Sequence, residues 1–463
     1  MTIKKEVYKN INKFLISNNL YMQEFNQETK DQIRKATLNI KRAKEDSLKR
    51  VGLSEAEYKK KIQEMRRRGL NNVEASLEEA RENFEKNGVI LHEAGNEESA
   101  REIIKNLLTD SKKIVKSKTN TGHEIELEKV TKDFECSETD LGDFVADLMK
   151  EDGIHYVLPA LHIKSGEIAK KIQEKFGDEI DDDPEKITRY LCDIIRKNIL
   201  EADTGITGAN FFTKNGEIIL LENEGNISLV SRLPQKHIVV CGINKLIENA
   251  SDAIELSRAA AIFGTGQFCP QYVSVISGPS KTADISSHLV EGAQGAREVH
   301  LVLIDGGRTE LMKNDFYRDL NACIGCGACL NFCPSFNELG KEYGGKSVGI
   351  KGMISDYLKM VNQEKNLSQQ ELDSRRSLSD LRADGNDSKL AKNFFKCILC
   401  GTCTENCPMG IDLSGMSRKI REELNKKGKG LPETQKMLET IEKYGNPFGE
   451  KKKTDKPDKL YCC

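Results

Sequence analysis

The sequence predicts an α/β domain with a helical region before it and a second, α-helical domain after it. Two observations carry that reading. Short β-branched runs alternate with helical patterns between about residue 88 and residue 310, the signature of a largely parallel sheet with crossover helices. Outside that span the apolar residues recur at helical spacing, and toward the C-terminal end they are joined by two dense groups of cysteines. At 463 residues the chain exceeds one ordinary core. The expected units are residues 1–86, 87–310 and 311–430, with a tail over 431–463.

In the first unit Val7, Ile11, Phe14 and Leu15 fall at helical spacing, as do Tyr58, Ile62 and Met65, then Leu77, Ala80 and Phe84. Their polar faces, dense in Lys, Arg and Glu, read as solvated surface. In the second unit strands are expected at Gly88–Leu91, Lys113–Val115, Tyr156–Leu158, Ile218–Leu221, His237–Val240, Tyr272–Ile276 and Val299–Ile304. Helices are expected at Glu98–Leu108, Ile168–Phe176, Ile187–Leu200 and Lys245–Phe263. Between Gly216 and Val240 two strands follow one another without a long helix, so that part is expected to be mixed or antiparallel. The polar segment Asn362–Ser388 reads as an insertion between the cysteine groups. The tail Phe448–Lys459, with five lysines and one proline, reads as disordered.

Composition narrows the function classes. Hydrophobic residues at 38% and charged residues at 31% suit a soluble protein with long exposed helices. A formal charge of -2 gives no global field for nucleic acid or an anionic membrane. No run of about 18 apolar residues is present, so no membrane span is expected. The segment MTIKKEVYKNINKF lacks the apolar stretch of a signal peptide, which makes the expected location cytoplasmic.

Fourteen cysteines are many for a reducing compartment, where clustered thiols bind metal more often than they form disulfides. Cys136, Cys192, Cys241 and Cys269 are isolated and expected to pack in the interior. Cys462 and Cys463 are vicinal, either free thiols or a redox or metal pair. The other eight form an internal repeat: Cys323-Ile-Gly-Cys326-Gly-Ala-Cys329-Leu-Asn-Phe-Cys333-Pro334 and Cys397-Ile-Leu-Cys400-Gly-Thr-Cys403-Thr-Glu-Asn-Cys407-Pro408, identical at seven of twelve positions. Both match the bacterial ferredoxin run C-x2-C-x2-C-x3-C-P, whose fourth cysteine ligates the other cluster.

Two 4Fe–4S clusters are therefore expected in an α-helical di-cluster ferredoxin domain. One is assigned to Cys323, Cys326, Cys329 and Cys407, the other to Cys397, Cys400, Cys403 and Cys333. Gly325, Gly327 and Gly401 let the loops turn tightly and point amides at sulfur. The fourth cysteine of each run is expected to start a helix, with Pro334 and Pro408 redirecting the chain. Ile324, Ile398, Leu399, Phe332, Phe394 and Phe395 are the expected apolar shell. The competing reading is two structural zinc sites. Zinc favours C-x2-C pairs split by a longer loop, and here the third and fourth cysteines recur in full.

In the α/β unit, polar glycine-bearing turns follow expected strands at Lys116–Glu124, Glu138–Gly142, Gly205–Asn210, Glu222–Asn226 and Ser277–Asp284. Ligands of open α/β sheets sit outside the carboxyl ends of strands. The candidate pocket is Lys118, His123, Gly208, Asn210, Glu224, Asn226 and Lys281, with the lysines and turn amides suited to a carboxylate or phosphate. The alternative is good turn sequence alone. His123 and His162 are acid–base candidates or structural groups. Glu222 and Glu224 either orient a ligand or cap a helix near Ile227, and Asp140 and Asp284 read as caps. No G-x-G-x-x-G or P-loop is present, and no catalytic residue is identified.

The runs ETDLGDFVADL, HYVLPALHIKSGEIA, GITGANFFTKNGEIILLENEGN, HIVVCGINKL, SGPSKTADI and REVHLVLIDGGRTE, followed by two ferredoxin motifs, resemble the lactate-utilisation protein B family over about residues 60–425. The resemblance implies an α/β fold related to sugar-phosphate isomerases and CoA transferases. It also implies a cytoplasmic three-part complex oxidising L-lactate to pyruvate. This chain would be its iron–sulfur subunit, beside a cysteine-rich subunit and a second lactate-utilisation domain protein. The stretch after Cys407 is shorter than the family usually carries. The expected function is electron transfer in oxidation of L-lactate or a similar 2-hydroxy acid. The alternatives are a metabolite-binding redox sensor and a stand-alone 2-hydroxy-acid oxidoreductase.

Overall fold

The computed structural model describes residues 27–150, 163–344, 347–365 and 386–447. The helical pattern at Val7–Leu15, the strand at Tyr156–Leu158, His162, most of Asn362–Ser388 and the tail with Cys462 and Cys463 lie outside the described residues.

The strands in chain order are β1 (Val89–Ala94), β2 (Lys113–Lys116), β3 (Glu135–Glu138), β4 (Thr204–Gly208), β5 (Phe211–Thr213), β6 (Ile218–Glu222), β7 (Lys236–Gly242), β8 (Leu246–Ile247), β9 (Tyr272–Ile276), β10 (Lys281–Thr282), β11 (Val290–Glu291) and β12 (Glu298–Ile304). Six of them form one sheet in the order β1-β12-β7-β4-β2-β3, parallel at every pairing. The apolar runs in β7 and β12 are continuous because both faces are covered. Val239, Cys241, Leu301 and Leu303 pack on one side with Phe84, Phe212 and Leu220. Ile238, Val240, Val302 and Ile304 pack on the other with Ile104, Leu108 and Ile125.

The mixed character expected between Gly216 and Val240 is present, and it arises because the two strands belong to different sheets. β6 pairs antiparallel with β5 and β9 in a four-stranded sheet with β8, whereas β7 sits in the parallel sheet. The helix expected from Lys245 starts at Ala250, capped by Asn249, because Leu246–Ile247 is drawn out as β8. β3 and β4 escape a propensity reading. Glu135-Cys-Ser-Glu138 and Thr204-Gly-Ile-Thr-Gly208 are polar or glycine-bearing, and sheet pairing overrides their weak local preference. Gly205 is needed where it stands, since a Cβ there would fall 2.1 Å from the Val230 carbonyl oxygen.

Three helices, Gln27–Val51, Glu55–Leu70 and Val73–Lys86, precede β1. The second begins in a Ser54–Glu57 capping box. It buries Tyr58 and Ile62 in a single apolar core that also takes Phe263 of the helix Ala250–Thr265 and Phe336, Phe394, Ile420, Cys333 and Cys403 of the C-terminal region. The cysteine-bearing region is therefore built onto the rest of the chain and shares its interior.

Arg66 pins that junction. Its side chain is fully buried and donates to the carbonyls of Leu246 (2.7 Å), Asn321 (2.8 Å), Ala322 (3.2 Å) and Asn244. Burial pulls its pKa down to about 10, so it stays charged at neutral pH. Replacing it leaves four carbonyls in the interior without their donor. Arg66→Leu is expected to destabilise the chain by about 3–5 kcal/mol, measured by chemical unfolding of anaerobically purified protein; a loss under about 1 kcal/mol would show that Arg66 does not hold the junction.

Candidate functional site

The two cysteine runs fold as near copies. Gly325 and its repeat counterpart Leu399 both take left-handed backbone, φ +72° and +53°, as do Gly327 and Gly401 at +81° and +79°. In each loop this turns an amide back onto the first thiol: Gly325 N–H donates to Cys323 Sγ and Leu399 N–H to Cys397 Sγ, both at 3.4 Å. Leucine at the second of these positions adopts a conformation ordinarily left to glycine. The copies part after the fourth cysteine. Cys333 starts the helix Pro334–Leu339, as expected. Cys407 is followed instead by a turn, with Gly410 at φ +69° and Ile411 N–H donating to Cys407 Sγ at 3.4 Å. Gln63 fixes that turn by donating to the Pro408 carbonyl at 2.9 Å.

The thiols gather across the repeats. Cys407 lies within electrostatic reach of Cys323, Cys326 and Cys329. Cys333 lies within reach of Cys397, Cys400 and Cys403, and these four line one cavity with Tyr343 and Ile350. Cys329 also reaches Cys403, so the two sets adjoin. Among the described residues no three His, Cys, Asp or Glu side chains converge as ligands of a single metal ion do. Ile324 and Phe394 are deeply buried in the apolar core that takes in the cysteines and Phe395 packs against it, whereas Phe332 is half-buried, with the Lys44 ammonium over its ring. Ile398 does not join that core: it is 64% exposed beside the exposed Cys400, because the second loop faces outward.

The surroundings of the two sets differ. Burial pushes the Cys323 thiol up, but Lys351, Lys245, the Gly325 amide and Arg66 more than offset it, leaving it more acidic than an ordinary cysteine. The Cys326 thiol, without comparable cations, is pushed up to about 12 by burial. At the second set the notable neighbour is a phenol. Tyr343 is fully buried and lines the cavity of that set with Cys333, Cys397 and Cys403, and its hydroxyl meets no described group in full hydrogen-bond geometry.

The first loop rests on the carboxyl ends of the parallel strands. Gly264 lets the helix Ala250–Thr265 approach it, since a Cβ there would fall 2.2 Å from the Cys326 carbonyl oxygen. On the strand side, Asn120 Nδ2 and Lys245 Nζ each stand 3.7 Å from where a Cβ on Gly325 would be. Asn120 follows β2 and Lys245 follows β7.

Comparison with known proteins matches each of the two regions to a family. Residues 77–304 match the LUD domain and residues 319–411 the 4Fe-4S dicluster domain. Lactate utilization protein B of Shouchella clausii is 30% identical over 390 residues, covering 82% of this chain and 74% of that protein. The chain belongs to the lactate utilization protein B family. The Bacillus subtilis lactate utilization protein B is 30% identical over 388 residues, with the same coverage. An Escherichia coli protein described as uncharacterized electron transport protein YkgF is 29% identical over 378 residues, covering 80% of this chain and 72% of its own. A DUF162 family crystal structure from Deinococcus radiodurans aligns over 50% of this chain and 98% of its own, at 11% identity and a TM-score of 0.28, too slight a likeness to argue from.

The donor set suits the iron–sulfur groups that the dicluster family implies: eight thiols in two adjoining sets, amides aimed at sulfur and a buried phenol short of a partner. Among the described residues no helix is long and apolar enough to cross a membrane.

The candidate pocket residues of this lactate utilization protein B relative are spread over the fold. Lys118 pairs with Asp143 at 3.0 Å. Glu224 accepts from the Leu141 amide at 3.3 Å, and Asn226 donates to Thr139 at 3.3 Å. These three stand near one another beyond β2 and β3. Burial and the Asp140 charge push the Glu224 carboxyl up. Gly208, at the end of β4, touches Thr119 so closely that a Cβ would fall 2.2 Å from its hydroxyl oxygen. Asn210 is taken up by the Leu221 amide at 3.0 Å. His123 is exposed, 3.8 Å from Glu128. Lys281 is elsewhere: on β10 it donates to Asn87 O at 3.0 Å and pairs with Glu291 at 3.2 Å, near the start of β1.

Glu222 acts at the helix Asn226–Arg232, accepting from the Ser228 amide at 2.9 Å, and Asp140 caps Leu141–Met149. Asp284 caps no helix; its amide donates to Thr282 at 3.4 Å. Of the isolated cysteines Cys241 is buried, Cys136 and Cys269 are partly so, and Cys192 is exposed, because its position on Pro184–Glu201 faces away from the buried stripe of Ile187, Leu191, Ile195 and Ile199.

Sequence reading passed over a charge network that ties the two regions. Glu124 accepts from Arg308 at 2.6 Å and Lys359 at 2.7 Å, and Lys359 also reaches Glu97 at 2.5 Å. Lys359 lies on the cysteine-region helix Gly349–Lys365. Burial pushes the Glu124 carboxyl up, but Arg308 and Lys359 outweigh it and hold the pKa at about 2. A depressed folded pKa stabilises above the unfolded value of about 4.3 and loses that contribution as pH falls toward 2. Glu124→Gln should therefore cost about 3 kcal/mol at pH 7, with the gap from wild type narrowing below about pH 4. Unfolding at several pH values checks this; an unchanged gap at pH 3.5 would contradict it.

Proposed function

We propose that this chain is the electron-transfer subunit of a cytoplasmic complex oxidising L-lactate, or a similar 2-hydroxy acid, to pyruvate. The observation that supports the reading is that Cys333 lines one cavity with Cys397, Cys400 and Cys403, while Cys407 comes within electrostatic reach of Cys323, Cys326 and Cys329. In this reading each set holds one 4Fe–4S cluster. Such clusters, when bound, each accept and release one electron, which suits a two-electron oxidation taken in two steps.

The chain's own groups prepare the two ends differently. Lys245, Lys351 and Arg66 offer positive charge around Cys323, against the carboxyl ends of the sheet where α/β ligands sit. Amides of Gly325, Leu399 and Ile411 donate to sulfur, and Ile324 and Phe394 keep water away. Cys400 and Ile398 come to the surface, which makes that edge the outlet toward a partner. The hydride- or carbanion-handling step has no flavin or nicotinamide fingerprint in this chain and is assigned to a partner: the cysteine-rich subunit or the second lactate-utilisation domain protein.

Two measurements check this. With the partner subunits present, L-lactate should bleach the visible absorbance of the anaerobic complex and raise a reduced-cluster EPR signal; absence of both overturns the role. Cys407→Ser should disturb the spectrum of the first set and Cys333→Ser that of the second. The reverse pattern would mean each run closes on its own cluster.

A further inference from the structure

We propose that the Tyr343 hydroxyl donates a hydrogen bond to a sulfur of the cluster held by Cys333, Cys397, Cys400 and Cys403 and raises the reduction potential of that cluster alone. The inference rests on the crossed assignment just made. Tyr343 is fully buried, among the largest side chains so enclosed. Its amide is anchored to the Gly340 carbonyl at 3.0 Å, at the end of the short turn that follows the helix Pro334–Leu339. The ring forms part of the same cavity wall as Cys333, Cys397 and Cys403. Those three cysteines are also the hydroxyl's strongest electrostatic neighbours, Cys397 foremost.

A phenol O–H is a donor that proteins rarely bury unpaired, because an unmet donor in the interior loses its hydration with nothing in return. Yet this hydroxyl has no partner among the described groups. Two other tyrosines share that condition, Tyr58 and Tyr317, but their strongest charged neighbours are Glu255 and Glu423 respectively, not cysteines of either run. Of the three, it is Tyr343 that lines a cavity with the cysteines of a run. Gaining an electron makes a cluster more negative, so a donor aimed at its sulfur stabilises the reduced form more than the oxidised one. The first set has cations at Cys323 in place of a phenol. The effect is therefore confined to one cluster.

Tyr343→Phe removes only the donor. In EPR-monitored redox titration of the anaerobic full chain, the variant should retain full iron content. One of its two midpoints should fall by about 59 mV, a tenfold change in the oxidised-to-reduced ratio for one electron. Cysteine variants identify which signal moves. Unchanged midpoints, or equal shifts in both, overturn the proposal. If the variant loses a cluster, wild-type chain made with 3-fluorotyrosine decides: its more acidic phenol should raise the same midpoint, and no change there overturns the proposal. A wild-type chain that lacks the second cluster overturns the crossed assignment instead.

Discussion

Cys333 shares a cavity with Cys397, Cys400 and Cys403, Cys407 comes within electrostatic reach of Cys323, Cys326 and Cys329, and the proposed crossed ligation depends on that exchange. In two-cluster ferredoxins the fourth cysteine of a run with this spacing ligates the other cluster. The first run sends Cys333 outward on the way into the helix Pro334–Leu339; the second sends Cys407 into a glycine turn. In the proposed ligation each run then depends on the other for completion.

The same region depends equally on the α/β part. Arg66 collects carbonyls from both sides of the junction, Gly264 admits the first loop, and Glu124 is shared by Arg308 and Lys359. An electron carrier of the proposed kind needs its centres at fixed distances. A shared apolar core with buried charge pairs supplies that rigidity better than a linker would. The polarity is also structural: cations gather at the inner set, and the outer set meets solvent at Cys400.

The sequence was most legible where chemistry fixes spacing. The cysteine repeat, its glycines and the continuous apolar strands β7 and β12 could be read because each residue type has one common reason to be there. The polar strands β3 and β4 could not, since their extended form comes from neighbours in the sheet. Leu399 hid its left-handed turn behind a side chain that rarely adopts one. Tyr343, Arg66 and Glu124 carry no motif at all; what singles them out is burial and partners distant in sequence. The candidate pocket shows the converse error, in which similar turn chemistry suggested one site while Lys281 belongs at the far end of the sheet.

The most direct measurement is iron, acid-labile sulfide and zinc content of the anaerobically purified chain, with low-temperature EPR after full reduction. The account predicts about eight irons and eight sulfides per chain and a spectrum broadened by coupling between two neighbouring clusters. About four irons with an uncoupled signal, or zinc in place of iron, would contradict it.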